Sequence, residues 1–193
     1  MRYLIFDDMT KCTDAEVERL LSFIIPQRRE EVLRFKHTFG RFASAKTFEM
    51  LMAMMPDLDW SAVAYKRWEH GKPYLCDSEG DPLEGHHFNL SHSEKGLLVA
   101  VDEQPIGVDI QTFRPFSEAL LRRCMNEEEQ RQILSSEAPR QTFAALWTRK
   151  EAVVKLSGRG LTGDLHAILE GRHNIETHIC ENKGYAYSIA LNR

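Results

Sequence analysis

The chain predicts an α+β fold made of two similar halves in a pseudo-twofold arrangement, residues 1–104 and 105–193. Two observations carry this expectation. Helix-period stretches precede strand-period stretches, and that order then repeats: helices to about residue 55, short strands to 111, helices to 156, short strands to the end. In addition, no run rich in Gly, Ser or Pro separates the halves, so they are expected to pack intimately.

Taken in order, Arg2 to Phe6 reads as a first strand. Thr13-Asp14-Ala15-Glu16 reads as a capping box that opens a helix with Val17, Leu20, Leu21 and Ile24 on its apolar face. A second helical region runs from Pro26 to Met55 and is expected to break near Gly40. Its methionines, Met50, Met52, Met54 and Met55, read as core packing. Short strands follow at Ala64–Trp68, Phe88–Ser91, Leu97–Val101 and Pro105–Gln111, as one antiparallel meander. Helices return at Ser117–Cys124, at Asn126 (a cap) to Leu134, and at Pro139–Leu156, with Gly158 just past the last as a stop. Three more strands are expected at His166–Glu170, Asn174–Cys180 and Gly184–Leu191.

Composition excludes several classes. Of 193 residues, 42% are hydrophobic and 28% charged, as in ordinary globular proteins. Twenty-five Lys and Arg against 29 Asp and Glu give a net charge of −4, which argues against non-specific nucleic-acid binding. There is no signal peptide and no apolar run of about 18 residues, so a cytoplasmic protein without a spanning helix is expected. Cys12, Cys76, Cys124 and Cys180 are scattered and read as reduced structural thiols. His86, His87 and His92 lack a carboxylate or cysteine at tight spacing and read as loop residues.

The chemistry concentrates in two stretches. On the helix around Trp147-Thr148-Arg149-Lys150-Glu151, the side chains of Trp147, Glu151 and Lys155 form one stripe, with Lys150 beside it. On the strand Ile106-Gly107-Val108-Asp109-Ile110-Gln111, the apolar residues face one way while Asp109 and Gln111 share the other face, roughly 7 Å apart. If the two meet, Asp109, Gln111 and Glu151 form an oxygen-rich pocket flanked by Lys150 and Lys155. Hard oxygen ligands suit Mg²⁺ bridging protein carboxylates and substrate phosphates. Taken alone, Glu151 and Lys155 are also an ordinary i, i+4 helix pair worth about 0.3–0.5 kcal/mol.

The pairing of Gly107-Val108-Asp109 with Trp147-Thr148-x-Lys150-Glu151-Ala152-x-x-Lys155 resembles the 4′-phosphopantetheinyl transferases of the surfactin type. Gly71-Lys72-Pro73-Tyr74, Phe88-Asn89-Leu90-Ser91-His92-Ser93 and Arg159-Gly160-Leu161 match the same pattern in the same order. Gln111 departs from it, since the family usually carries Glu there. The resemblance implies two α+β halves with the active site between them. The implied activity is Mg²⁺-dependent transfer of the phosphopantetheine arm of coenzyme A to a serine of an apo acyl or peptidyl carrier protein, releasing 3′,5′-ADP. It further implies Asp109 and Glu151 as metal ligands, Gln111 as a neutral ligand or holder of a ligand water, and Glu151 as base. Lys150 and Lys155 would neutralise the pyrophosphate, Ser91 and His92 would donate hydrogen bonds to coenzyme A phosphate (His92 to the 3′-phosphate), Lys72 would bind phosphate or the adenine edge, and Arg28, Arg41 and Lys46 would reach the 3′-phosphate. Phe113, Phe116, Leu120, Leu121, Arg122 and Arg123 are candidates for a carrier-docking surface on a monomer. A metal-dependent phosphodiester or pyrophosphate hydrolase, or a non-catalytic carrier-binding protein, would share much of this pattern.

Overall fold

Residues 1–160 and 164–192 are described by a computed structural model. The first half begins with β1 (Arg2–Phe6), followed by α1 (Asp14–Leu21), α2 (Pro26–Leu33) and α3 (Thr38–Met54). It ends in two hairpins, β2 (Ala64–Arg67) with β3 (Pro73–Cys76), and β4 (His87–Ser93) with β5 (Gly96–Asp102). The second half runs β6 (Ile106–Thr112), α4 (Glu118–Cys124), α5 (Glu127–Leu134), α6 (Pro139–Ser157), β7 (Asn174–Cys180) and β8 (Tyr185–Leu191). Among the described residues, two three-stranded antiparallel sheets result, ordered β1-β5-β4 and β6-β8-β7, beside the two-stranded β2-β3. In each three-stranded sheet, the opening strand pairs with the closing strand, which also pairs with the strand before it.

Alternation along β5 sets the layers. Leu97, Val99 and Val101 pack with Phe42, Phe48 and Leu51 of α3, while Leu98 and Ala100 pack with Ile106, Val108 and Ile110 of β6 and Ile189 of β8. The order of layers is therefore α3, first sheet, second sheet, α6. A further cluster, with Leu121, Met125, Ile133, Phe143 and Leu146, joins α4, α5 and α6. The two sheets meet along a seam built from side chains. Val108 N donates to Asn89 Oδ1 at 2.9 Å, Ile110 N to Ser91 Oγ at 3.2 Å, and Thr112 Oγ1 to Ser93 Oγ at 3.1 Å.

Several expectations change. The meander does not include β6: β5 already spends its two edges on β1 and β4, so β6 opens the second sheet against β8. The helical break falls between α2 and α3, not at Gly40. Gly40 lies in the first turn of α3, where a Cβ would come within 2.8 Å of the Phe35 ring. His166–Glu170 forms turns, because Leu165 and Leu169 pack onto the α4–α6 cluster instead of into a sheet. β3 was not anticipated; it begins at Pro73, a position strands tolerate, after Gly71 at φ +83°. At α1 only half the capping box forms: Thr13 Oγ1 accepts from Glu16 N, while the Glu16 carboxylate turns to Arg19. The complete box is at α5, between Asn126 and Glu129. Gly158 closes α6 in the left-handed conformation at φ +68°, as expected of a stop. Among the described residues no helix is long and apolar enough to cross a membrane.

Candidate active site

The site begins with a close approach. A Cβ on Gly107 would collide with the Ala152 carbonyl and the Leu156 amide, and would sit 2.8 Å from Leu156 Cα. Only glycine lets α6 lie directly on β6 here. Two residues along β6, on the same face, Asp109 then receives the Lys155 ammonium at 2.6 Å. Ser91 joins them from β4, donating to Asp109 Oδ1 at 2.7 Å while accepting from Lys155 Nζ at 3.1 Å. The oxygen of Ser91 that completes the seam thus also orients the carboxylate.

Glu151 lies one turn before Lys155 and lines the same pocket of about 300 Å³ with Asp109, Gln111, Ser91, His92 and Trp147. Burial first, and the Asp109 charge next, raise its pKa above the ordinary carboxylate value, against the pull of Lys155. Gln111 is half-buried, and its amide nitrogen donates to the Thr112 carbonyl. The strand face read from the sequence is therefore real: Asp109, Gln111, Glu151 and Lys155 share one pocket. Trp147 both packs into the α4–α6 cluster and lines that pocket.

His92, Leu90, Glu151 and Lys155 also line a second pocket of about 360 Å³, so the two form one groove. His92 is water-accessible yet set within this groove, its ring edge-on to Phe39 at 5.9 Å. The surrounding protein, and then the Lys155 ammonium, hold its pKa below the usual histidine value. The far part of the groove is cationic, with Arg28, Arg67, His70 and Lys72 in its walls. Lys72 also donates to the carbonyls of Ile106 at 3.1 Å and Leu156 at 3.0 Å. Burial lowers its pKa to about 8.

Three expected residues are not brought to the groove. Lys150 is fully buried, pairs with Glu129 at 2.7 Å and donates to the Leu165 carbonyl at 2.6 Å. It holds the start of α5 and the segment after α6, so a role on pyrophosphate does not fit its placement. Arg41 donates to the Phe35 carbonyl, and Lys46 pairs with Glu49 over the Phe6 ring. Conversely, Tyr65, Arg67 and Ser44 line the groove and were not singled out. Tyr65 and Arg67 alternate on one strand just before Gly71-Lys72-Pro73, a period-two signal that was present. Of the motif after α6, Gly160 lines the groove and Leu161 lies outside the described residues.

Residues 105–191, which contain β6 and α6, match the model of the 4′-phosphopantetheinyl transferase superfamily. The chain is 34% identical over 152 residues to the 4′-phosphopantetheinyl transferase Sfp of Bacillus subtilis, covering 76% of this chain and 66% of that protein. The chain belongs to the 4′-phosphopantetheinyl transferase superfamily. Other transferases of this kind resemble it over a similar stretch. One is HetI of Nostoc, 31% identical over 151 residues and covered over 59% of its length. Another is the human L-aminoadipate-semialdehyde dehydrogenase-phosphopantetheinyl transferase, 26% identical over 161 residues and covered over 52% of its length. The phosphopantetheinyl transferase family model thus spans Asp109, Glu151 and Lys155, while the cationic wall comes mostly from residues before 105.

Proposed function

We propose that this chain transfers the 4′-phosphopantetheine arm of coenzyme A to a serine hydroxyl of an apo acyl or peptidyl carrier protein. One observation supports the reading most: a single groove with carboxylates Asp109 and Glu151 at one part and cations at the other. A ligand with a reacting pyrophosphate and a separate phosphate matches that polarity.

The donor set fits Mg²⁺, since two carboxylates and an amide are hard oxygen ligands, and burial with the Asp109 charge disfavours the ionised Glu151 until a cation neutralises it. Asp109, Glu151 and Gln111 would hold it, and it would supply neutralisation of pyrophosphate charge. Glu151 accepts the serine proton as the hydroxyl oxygen attacks phosphorus, and its raised pKa makes it a stronger base than an ordinary glutamate. The phosphorus–oxygen bond to the nucleotide breaks, and 3′,5′-ADP departs. Lys155, held in place by Asp109 and by the Ser91 hydroxyl, whose one proton is already given to Asp109, places its charge against the departing phosphate, while His92 supplies a hydrogen bond to coenzyme A phosphate. Arg28 serves the 3′-phosphate. Exposed Leu120, Arg122 and Arg123, near Phe116, offer an acidic carrier protein an apolar patch with basic edges. The two halves, 1–104 and 105–193, are read as pseudo-twofold related, in a cytoplasmic monomer.

Intact-mass analysis of apo carrier proteins incubated with coenzyme A and Mg²⁺ tests this. The carrier should gain the phosphopantetheine mass, and EDTA or Asp109→Ala should cut the rate by at least about a hundredfold. Consumption of coenzyme A without modification of any carrier would favour a hydrolase instead.

A further inference from the structure

At the far part of the groove, two guanidiniums share one carboxylate. Glu31 Oε2 accepts from Arg28 Nη1 and, at 2.9 Å, from Arg67 Nη2, and Glu31 Oε1 accepts from Arg67 Nε at 3.1 Å. The Tyr65 ring lies beside both cations, with Arg28 Cζ at 5.0 Å and Arg67 Cζ at 5.5 Å from its centroid. Arg28 is only 5% exposed, yet its Nε has no hydrogen-bond partner, and neither has the buried Ser44 Oγ. Both residues line the groove. Two buried polar atoms of this wall are therefore unpaired, and the cluster already holds an anion of its own.

We propose that Glu31 is a resident counter-ion that weakens this wall's grip on the ribose phosphate of coenzyme A and so sets the preference for substrates carrying it. The inference rests on the transferase reading, in which the pyrophosphate lies beside Asp109, Glu151 and Lys155 and the remaining phosphate falls to the other end of the groove. A phosphate monoester carries nearly two negative charges at neutral pH. Two guanidiniums less one carboxylate leave a single positive charge to meet it. Glu31 also uses donors that a phosphate oxygen would otherwise take, and charge-assisted bonds of this kind are the strong ones. Arg67 gains a role through the same geometry: it is half-exposed, fixed by Glu31 and by the Gly71 carbonyl at 3.0 Å, and faces the groove beside Arg28.

Calorimetric titration with coenzyme A and with 3′-dephospho-coenzyme A, in Mg²⁺ and without carrier protein, tests the proposal. Glu31→Gln keeps an acceptor and removes the charge. It should tighten coenzyme A by about tenfold while changing the dephospho compound by less than about twofold. Arg67→Met, at a half-exposed position, should loosen coenzyme A by a similar factor and leave the dephospho compound almost unaffected. Equal changes for both ligands in Glu31→Gln, or looser binding of coenzyme A, overturn the counter-ion. If Glu31→Gln does not give a cooperative melt, Arg67→Met decides alone, and an unchanged ratio overturns the proposal. Failure of the parent protein to bind either ligand overturns the transferase reading along with it, whereas binding with an invariant ratio removes only the role of Glu31.

Discussion

Glu151 is half-buried beside Asp109, and its pKa stands above the ordinary carboxylate value because of burial first and that neighbour second. An acid with a folded pKa above its unfolded value holds its proton more tightly when folded. Its contribution to stability is complete below the unfolded pKa and is lost as pH rises through the folded one. At neutral pH the ionised side chain therefore opposes the fold. Glu151→Gln should raise the melting temperature of the metal-free protein at neutral pH and lower transfer by at least about a hundredfold. Well below the ordinary carboxylate pKa the stability gain should vanish. Melts in EDTA at two pH values decide it, and a variant that melts lower than the parent at neutral pH would contradict the account. Most of this pocket was legible in the sequence, because the strand period of two and the helix period of 3.6 each place side chains on a face. Lys150 was misread for the same geometric reason. Neighbours on a helix point about 100° apart, so the residue before Glu151 faces α5 and the core, where Glu129 meets it.

At the scale of elements, the packing of α6 on β6 turns on Gly107. Alanine there must move the helix backbone, since the colliding atoms are main-chain atoms of Ala152 and Leu156. Gly107→Ala should destabilise the protein by about 1–3 kcal/mol, the scale of an overpacked core. It should also reduce transfer at least about tenfold, though no reacting group changes, because Lys155 and Glu151 move away from Asp109. Urea unfolding alongside the transfer rate measures both. Full activity in a destabilised Gly107→Ala would show that the helix position does not set the chemistry. The sequence read α6 well, as it is long and ends at a left-handed glycine. The sheet partner of β6 was not legible, because pairing with β8 joins residues far apart in the chain and local alternation is the same whichever strand lies alongside.

At the scale of the whole molecule, Lys72 ties the β2–β3 hairpin of the first half to the carbonyls of Ile106 and Leu156 in the second. Its folded pKa, about 8, lies below the ordinary lysine value of 10.5. The unfolded chain thus binds more protons between those values, and stability from this residue rises with pH across that window. The melting temperature of the parent should gain on that of Lys72→Met as pH goes from 8 toward 10.5, by a few degrees at most after allowance for solvent around the amine. Parallel pH dependence in the two proteins would remove the burial of Lys72 as a factor.

The seam of Asn89, Ser91 and Ser93 carries a consequence for synthesis. The stretch that matches the transferase family begins at 105 and contains all of the second sheet. Yet the amides of Val108 and Ile110 find their acceptors only on β4, in residues the ribosome makes earlier. As β6 emerges, the acceptors for these two amides are already made, while its ladder edge waits for β8, the last strand of the chain. A fragment starting at 105 has no such reception. Its first strand would display unsatisfied donors beside an uncovered apolar face, Ile106, Val108 and Ile110, and would recruit strands from other chains.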